Sequence, residues 1–211
     1  LNGQVQQFSL TLENEHLLHA AMEQHDGIFL FGAHMGSFEA LRALGHQHTD
    51  SKLVQLMYQE NAKKLSQVLA AINPVLQHEI IPLGHLETMM RVHEALKRGA
   101  RIGILADRTL QQSHLKKQRF LGEDADFSES AFRLAAILRK PVLLMLGVYL
   151  GRNQYRLLFE EIYDFSNMQQ EQAQAVTAAR ERYVDLLAKY CREYPYNWFN
   201  FYDFWQTSCK E

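Results

Sequence analysis

The chain has 211 residues, with 22 Lys and Arg against 24 Asp and Glu for a formal charge of −2, and 47% of it is apolar. That balance is too apolar and too even in charge for a disordered segment or a nucleic-acid coat, so no nucleic-acid partner is expected. The length suffices for one domain, 1–211, with a real core.

Gly27 to Ala33 reads as a buried strand, followed by a turn at His34-Met35-Gly36 and a helix from about Ser37 to Gly45 with Ser37 as its N-cap. Lys52 to Met57 is a second strand, and a helix from Glu60 to Ile72 stops at Asn73-Pro74, because proline disfavours helix in the residue before it. Glu79 to Pro82 reads as a short strand, His85 to Lys97 as a helix ended by Gly99, and Arg101 to Ala106 as another strand. From Asp107 to Phe127 no period is evident, and a loop of that length in a compact domain is usually functional. Glu129 to Arg139 is helical, Pro141 to Tyr149 and Gln154 to Glu160 form a strand pair turned at Gly151-Arg152-Asn153, and Gln169 to Glu193 is a long amphipathic helix leading to an aromatic tail. Strand-sized runs alternating with helical ones predict an α/β fold, a mixed sheet flanked by helices.

The longest apolar run, Pro141 to Leu150, is too short to span a membrane. A start on Leu1 rather than Met suggests a piece of a longer protein, whose preceding part could carry a membrane anchor. Two cysteines, Cys191 and Cys209, make neither a disulfide framework nor a Cys-based zinc site and suit a reducing compartment. His46-x-His48 lacks a third ligand nearby, so no metal is expected.

The segment richest in chemistry is Gly32-Ala33-His34-Met35-Gly36-Ser37-Phe38-Glu39. Five positions along a continuous helix rotate by about 140°, which would part the two side chains. A turn at His34 can instead fold the imidazole back over the first helical turn toward Glu39, giving a general base oriented by a carboxylate. Gly36 would let a substrate approach, and free amides at the helix start could bind a developing oxyanion. The competing reading is a surface histidine and a solvated glutamate that never meet.

This strand with its H-x4-E pattern resembles the first motif of the lysophospholipid acyltransferase superfamily. Three later segments, Gly103-Ile104-Leu105-Ala106-Asp107-Arg108, Phe120-Leu121-Gly122 and Tyr194-Pro195-Tyr196-Asn197-Trp198-Phe199, are similar in order to the bacterial lipid A biosynthesis acyltransferase branch. The tail from Pro195 to Trp205 looks most like a subgroup found alongside glycosyltransferases and fatty-acid or polyene synthesis enzymes. The resemblance implies a glycerol-3-phosphate acyltransferase-like fold, with the chain as its catalytic core. It implies His34 as the general base and Glu39 as its orienting partner, an acyl thioester of acyl carrier protein or coenzyme A as donor, and a lipid or glycolipid hydroxyl as acceptor. No cofactor and no covalent acyl-enzyme are implied. The place of work would be the cytoplasmic face of the bacterial inner membrane, reached peripherally or through the missing anchor. Asn200 and Asp203 stand where a basic pair is usual in the lipid A enzymes, which points away from a strongly anionic acceptor.

Arg108, after a strand end, is a candidate for the thioester carbonyl or a phosphate, with Asp107 holding its fork; a structural ion pair is the alternative. Lys97 to Arg119 holds seven basic residues and one acid, a local +6 set against −8 elsewhere. Lys116, Lys117 and Arg119 on that loop make a docking patch for an acidic carrier, or simply a solvated face. Eight of the twelve residues from Tyr194 to Trp205 are aromatic and are expected to pack on the core, although such rings also suit an acyl tunnel or a membrane surface. A thioesterase, with water as acceptor, and a non-catalytic lipid- or carrier-binding module are the rival functions. The absence of a G-x-S-x-G nucleophile elbow disfavours an α/β-hydrolase.

Overall fold

The computed structural model describes residues 9–37, 53–58, 79–85, 87–108 and 114–205. In chain order these residues form β1 (Ser9–Glu13), α1 (Glu15–Gln24), β2 (Ile28–Gly32), β3 (Leu53–Tyr58), β4 (Glu79–Leu83), α2 (Thr88–Lys97) and β5 (Arg101–Leu105). They continue with β6 (Leu115–Phe120), β7 (Glu123–Ser128), α3 (Ser130–Ile137), β8 (Pro141–Gly151), β9 (Gln154–Asp164) and α4 (Gln172–Glu193), which a short 3₁₀ turn, Pro195–Asn197, follows. The helices expected over 37–45 and 60–72 fall largely or wholly outside the described residues, as do Glu39, His46 and His48.

Seven strands make one mixed sheet in the order β1-β9-β8-β2-β5-β3-β4. The run from β8 to β4 is parallel, while β9 is antiparallel to β8 and takes β1 parallel on its outer edge. The α/β architecture with a mixed sheet flanked by helices is therefore as the sequence predicts.

Alternation along β2 explains how the sheet is covered. Phe29 and Phe31 face the larger core, with α2, α3 and α4, whereas Ile28 and Leu30 face a smaller core that Leu18 of α1 joins. Phe31 meets Phe132 of α3 edge-to-face at 5.1 Å, and Phe132 meets Tyr183 of α4 at 5.7 Å. Losing a ring such as Phe132 would cost about 3–5 kcal/mol. The Tyr183 hydroxyl, buried, donates to the carbonyl of Gly32 at 2.8 Å and so ties α4 to the end of β2.

The expected loop over 107–127 is corrected in its second half. Residues 115–128 form an antiparallel hairpin, β6–β7, closed by a two-residue turn in which Leu121 and Gly122 both have positive φ, 53° and 110°. The ribbon is not hydrogen-bonded to the main sheet and joins the larger core through Phe120, Ala125 and Phe127, while Lys116, Lys117 and Arg119 lie toward solvent, so no apolar period marks β6. At the chain's start, β1 and α1 are further elements that the sequence reading did not assign.

Candidate active site

Strands β2 and β5 are adjacent and parallel, with Gly32 opposite Leu105, and the amide of Ala106 donates to the carbonyl of Gly32 at 3.0 Å. Their C-terminal ends therefore leave the sheet side by side, which is where open parallel sheets present their ligand sites. His34 follows one strand by two residues and Asp107 the other. The amide of Met35 donates to the carbonyl of Ala33 at 2.6 Å, a γ-turn with His34 at its apex.

Asp107 grips His34 twice. Its Oδ2 accepts from the His34 backbone amide at 3.0 Å, and its Oδ1 lies 2.9 Å from His34 Nδ1. The Asp107 side chain is 0% exposed, whereas that of His34 is 38% exposed, so a buried carboxylate holds the inner edge of a ring whose outer edge is open. A carboxylate accepts and an amide only donates, so the arrangement places the ring proton on Nδ1 and leaves the Nε2 lone pair outward. The two bonds are also what makes a buried carboxylate tolerable. An imidazole N–H makes one strong hydrogen bond, and that of Nδ1 is taken. Among the described residues the carboxylate on Nδ1 is Asp107, seventy-three residues beyond His34 in sequence; Glu39, the expected orienting partner, lies outside them.

Arg108 keeps an ion pair with Asp107 and gains partners from the tail. Its Nε is 3.8 Å from Asp107 Oδ2, beyond hydrogen-bond range, while its Nη2 donates to the carbonyl of Phe199 and its guanidinium lies 4.9 Å from the centre of the Tyr202 ring. The aromatic tail supplies the fork's hydrogen bond and Asp107 its countercharge, and the cation stays beside the His34–Asp107 pair.

Gly36 serves the chain rather than a ligand. At φ 67° a Cβ would fall 2.0 Å from the carbonyl oxygen of Gly147 on β8, so only glycine fits. Its amide donates to the carbonyl of Asn197 at 2.7 Å and that of Ser37 to Gly147 at 2.6 Å. These two amides are therefore already bonded; the amides further into the expected helix, on which the oxyanion reading rests, lie outside the described residues.

On the hairpin, Lys117 sits opposite Asp126 and Arg119 opposite Asp124, each pair at 3.7 Å, while Lys116 sits opposite Phe127. Three acids on β7 (Glu123, Asp124, Asp126) match the three bases of β6, so the ribbon's share of the +6 read from 97–119 is balanced and +3 remains. The tail divides. Phe204 is buried and packs with Trp198 and Phe120, as expected of a core-packing segment, whereas Tyr196 and Phe201 are 96% and 89% exposed.

Among the described residues no cysteine nucleophile is offered at the site. Burial first, then the charge of Asp107, pushes the Cys191 thiol up to about 12, which keeps it protonated. The same two causes raise Tyr183 well above its usual range. Among the described residues no group of three or more His, Cys, Asp or Glu could hold a metal ion, and no helix is long and apolar enough to cross a membrane.

A histidine base on a buried aspartate at the end of a parallel sheet admits several transferase and hydrolase chemistries. No curated protein matches the chain. Among solved structures, the 1-acyl-sn-glycerophosphate acyltransferase PlsC from Thermotoga maritima is similar, with a TM-score of 0.49 and 13% identity over 92% of this chain and 74% of that one. The family model for bacterial lipid A biosynthesis acyltransferases matches residues 4–207, nearly the whole chain, and the protein belongs to that acyltransferase family.

Proposed function

We propose that the protein transfers an acyl group from a thioester, carried by acyl carrier protein or coenzyme A, to a hydroxyl of a lipid or glycolipid. The observation that carries this reading is the His34 ring, open at Nε2 and fixed at Nδ1 by the buried Asp107 carboxylate. Nε2 takes the proton of the acceptor hydroxyl as its oxygen attacks the thioester carbonyl. The C–S bond then breaks, the acyl group leaves on the acceptor oxygen, and the departing thiolate takes the proton back from Nε2. Asp107 stabilises the imidazolium that exists between these two transfers. Arg108, held beside the pair by Phe199 and Tyr202, supplies the positive charge for the oxyanion or for a phosphate of the donor. Neither a cofactor nor a metal enters the reaction.

An acidic carrier would dock on the hairpin through Lys116, Lys117 and Arg119, competing with Asp124 and Asp126 for them. The exposed Phe201 beside Phe199 suits a membrane surface, and we place the protein at the cytoplasmic face of the bacterial inner membrane.

The test is mass spectrometry of lipids incubated with acyl thioester and either the intact protein or His34→Ala. Acyl lipid made by the first and not by the second supports the reading. Thioester loss that ignores the acceptor means hydrolysis, and equal behaviour of the two proteins means that His34 is not catalytic.

A further inference from the structure

We propose that Asn197 is a positioning residue for His34, acting through the C-terminal tail as a strap; the catalytic part of this proposal rests on the reading of His34 as the base. Beyond the end of β2, the edge of β8 that β2 had paired is left without a strand, because the β2–β8 pairing ends at Phe31 and Leu144. The chain fills that edge in two steps. Gly36 and Ser37 take Gly147, and Asn197 takes Tyr149. The Asn197 carboxamide does so with both of its ends: its Oδ1 accepts from the Tyr149 amide at 2.6 Å, and its Nδ2 donates to the Tyr149 carbonyl at 3.1 Å. These are the two bonds that a neighbouring strand would have made. A carboxamide carries its donor and its acceptor on separate atoms, spaced to meet both groups of one residue, and Asn197 is itself 8% exposed.

Pinned there, the tail runs antiparallel to the histidine turn, with Trp198 opposite Met35. The carbonyl of Asn197 takes the Gly36 amide at 2.7 Å, and the amide of Phe199 donates to the His34 carbonyl at 2.8 Å. With Asp107 on its own amide and on Nδ1, His34 then has its backbone donor, its backbone acceptor and one ring nitrogen all fixed. A γ-turn has little rigidity of its own. Releasing the strap lets the imidazole leave the carboxylate without touching either catalytic group.

The experiment follows the His34 tautomer by ¹⁵N NMR of the ring nitrogens, together with acyl-transfer kinetics, in the full chain. Asn197→Ala removes the clasp on Tyr149. Phe199→Pro removes the single amide on the His34 carbonyl; Trp198 before it already has the extended backbone (φ −87°, ψ 109°) that a following proline requires. The second variant keeps the test open if the first fails to fold. Phe165→Ala, in the core at the opposite end of the β8–β9 pair, where Asp164 meets Pro141, is the control for lost stability alone.

Expected are a fixed Nδ1–H tautomer in the wild type and in Phe165→Ala, and a mixture in both tail variants. In the tail variants kcat should fall by about tenfold or more while the donor KM stays within about twofold. A wild-type tautomer and kcat in a folded tail variant, or the same tautomer loss in Phe165→Ala, would overturn the strap. If the wild type transfers no acyl group, the NMR arm still decides whether the strap holds the ring, and only the acyltransferase reading falls.

Discussion

Replacing the Asp107 carboxylate by a carboxamide, Asp107→Asn, changes almost no volume and reverses the logic of the site. Two donors face Asp107, the backbone amide of His34 at 3.0 Å and Nδ1 at 2.9 Å, and a carboxamide has only one acceptor oxygen to offer them. The amide cannot change its role. If the oxygen stays with it, the new NH₂ faces Nδ1, which must become an acceptor; the ring proton moves to Nε2, and the base is lost. If the carboxamide flips, it presents a donor to the amide and leaves it unsatisfied, at a cost of about 1–3 kcal/mol. The first arrangement is therefore preferred. Histidine bases forced into the wrong tautomer in this way lose roughly 10³–10⁴ in kcat, equivalent to about 4–5.5 kcal/mol of barrier. The assay is acceptor-dependent release of thiol from the thioester, read beside the ring ¹⁵N shifts. The Cys191 thiol gives an internal check: held up to about 12 by burial and then by the Asp107 charge, it should titrate lower in the variant. A folded Asp107→Asn protein with activity within about threefold of wild type and its proton still on Nδ1 would refute the reasoning.

Gly36→Ala should destabilise by about 3 kcal/mol or more, because a Cβ at positive φ would also lie 2.0 Å from the Gly147 carbonyl oxygen; denaturant unfolding measures it, and a normal midpoint would mean that the turn can move away from β8. Cys191→Ala should keep full activity, and in the native wild type peptide mapping should find Cys191 unalkylated at neutral pH. Charge reversal of Lys116, Lys117 and Arg119 together should raise KM for the carrier-protein thioester and not for the coenzyme A thioester, and raising salt from about 50 to 300 mM should do the same to the wild type. For Asp164, burial alone would raise the pKa, but the Ser166 hydroxyl and amide, the Asn167 side chain and the charge of His25 bring it below its usual 3.8. Its stabilisation is then complete above that value and lost as pH falls through the lower folded-state pKa. Asp164→Ala should lose about 1 kcal/mol at pH 7 and show a shallower acid limb in a pH series of unfolding curves.

Local pattern was enough for most of the sheet. Period and punctuation located β2, β3, β4, β5, β8 and β9 to within a few residues, because a strand buried on both faces or a helix with one apolar stripe writes its environment into its own composition. The hairpin β6–β7 escaped because β6 is largely solvated and shows no apolar alternation; its signs were Gly122 in the turn, with Leu121 taking the other positive φ, and the short alternation of Ala125 and Phe127 with Asp124 and Asp126. The site divides along the same line. His34, Asp107 and Arg108 were each legible as polar residues just past strand ends, and the ordered motifs pointed to the family that residues 4–207 match. That Asp107 meets the histidine was not legible, because the pairing of β2 with β5 joins positions seventy-three residues apart and leaves no mark at either one. The same holds for Asn197, whose signal lay inside an aromatic motif that reads as packing, and for Lys117 and Arg119, whose countercharges lie across a turn. Sequence alone determined most of the elements and the kinds of residue available for chemistry. Tertiary structure decided which of them touch, since hydrogen bonds and ion pairs depend on distance in space, and only the strand order sets that distance.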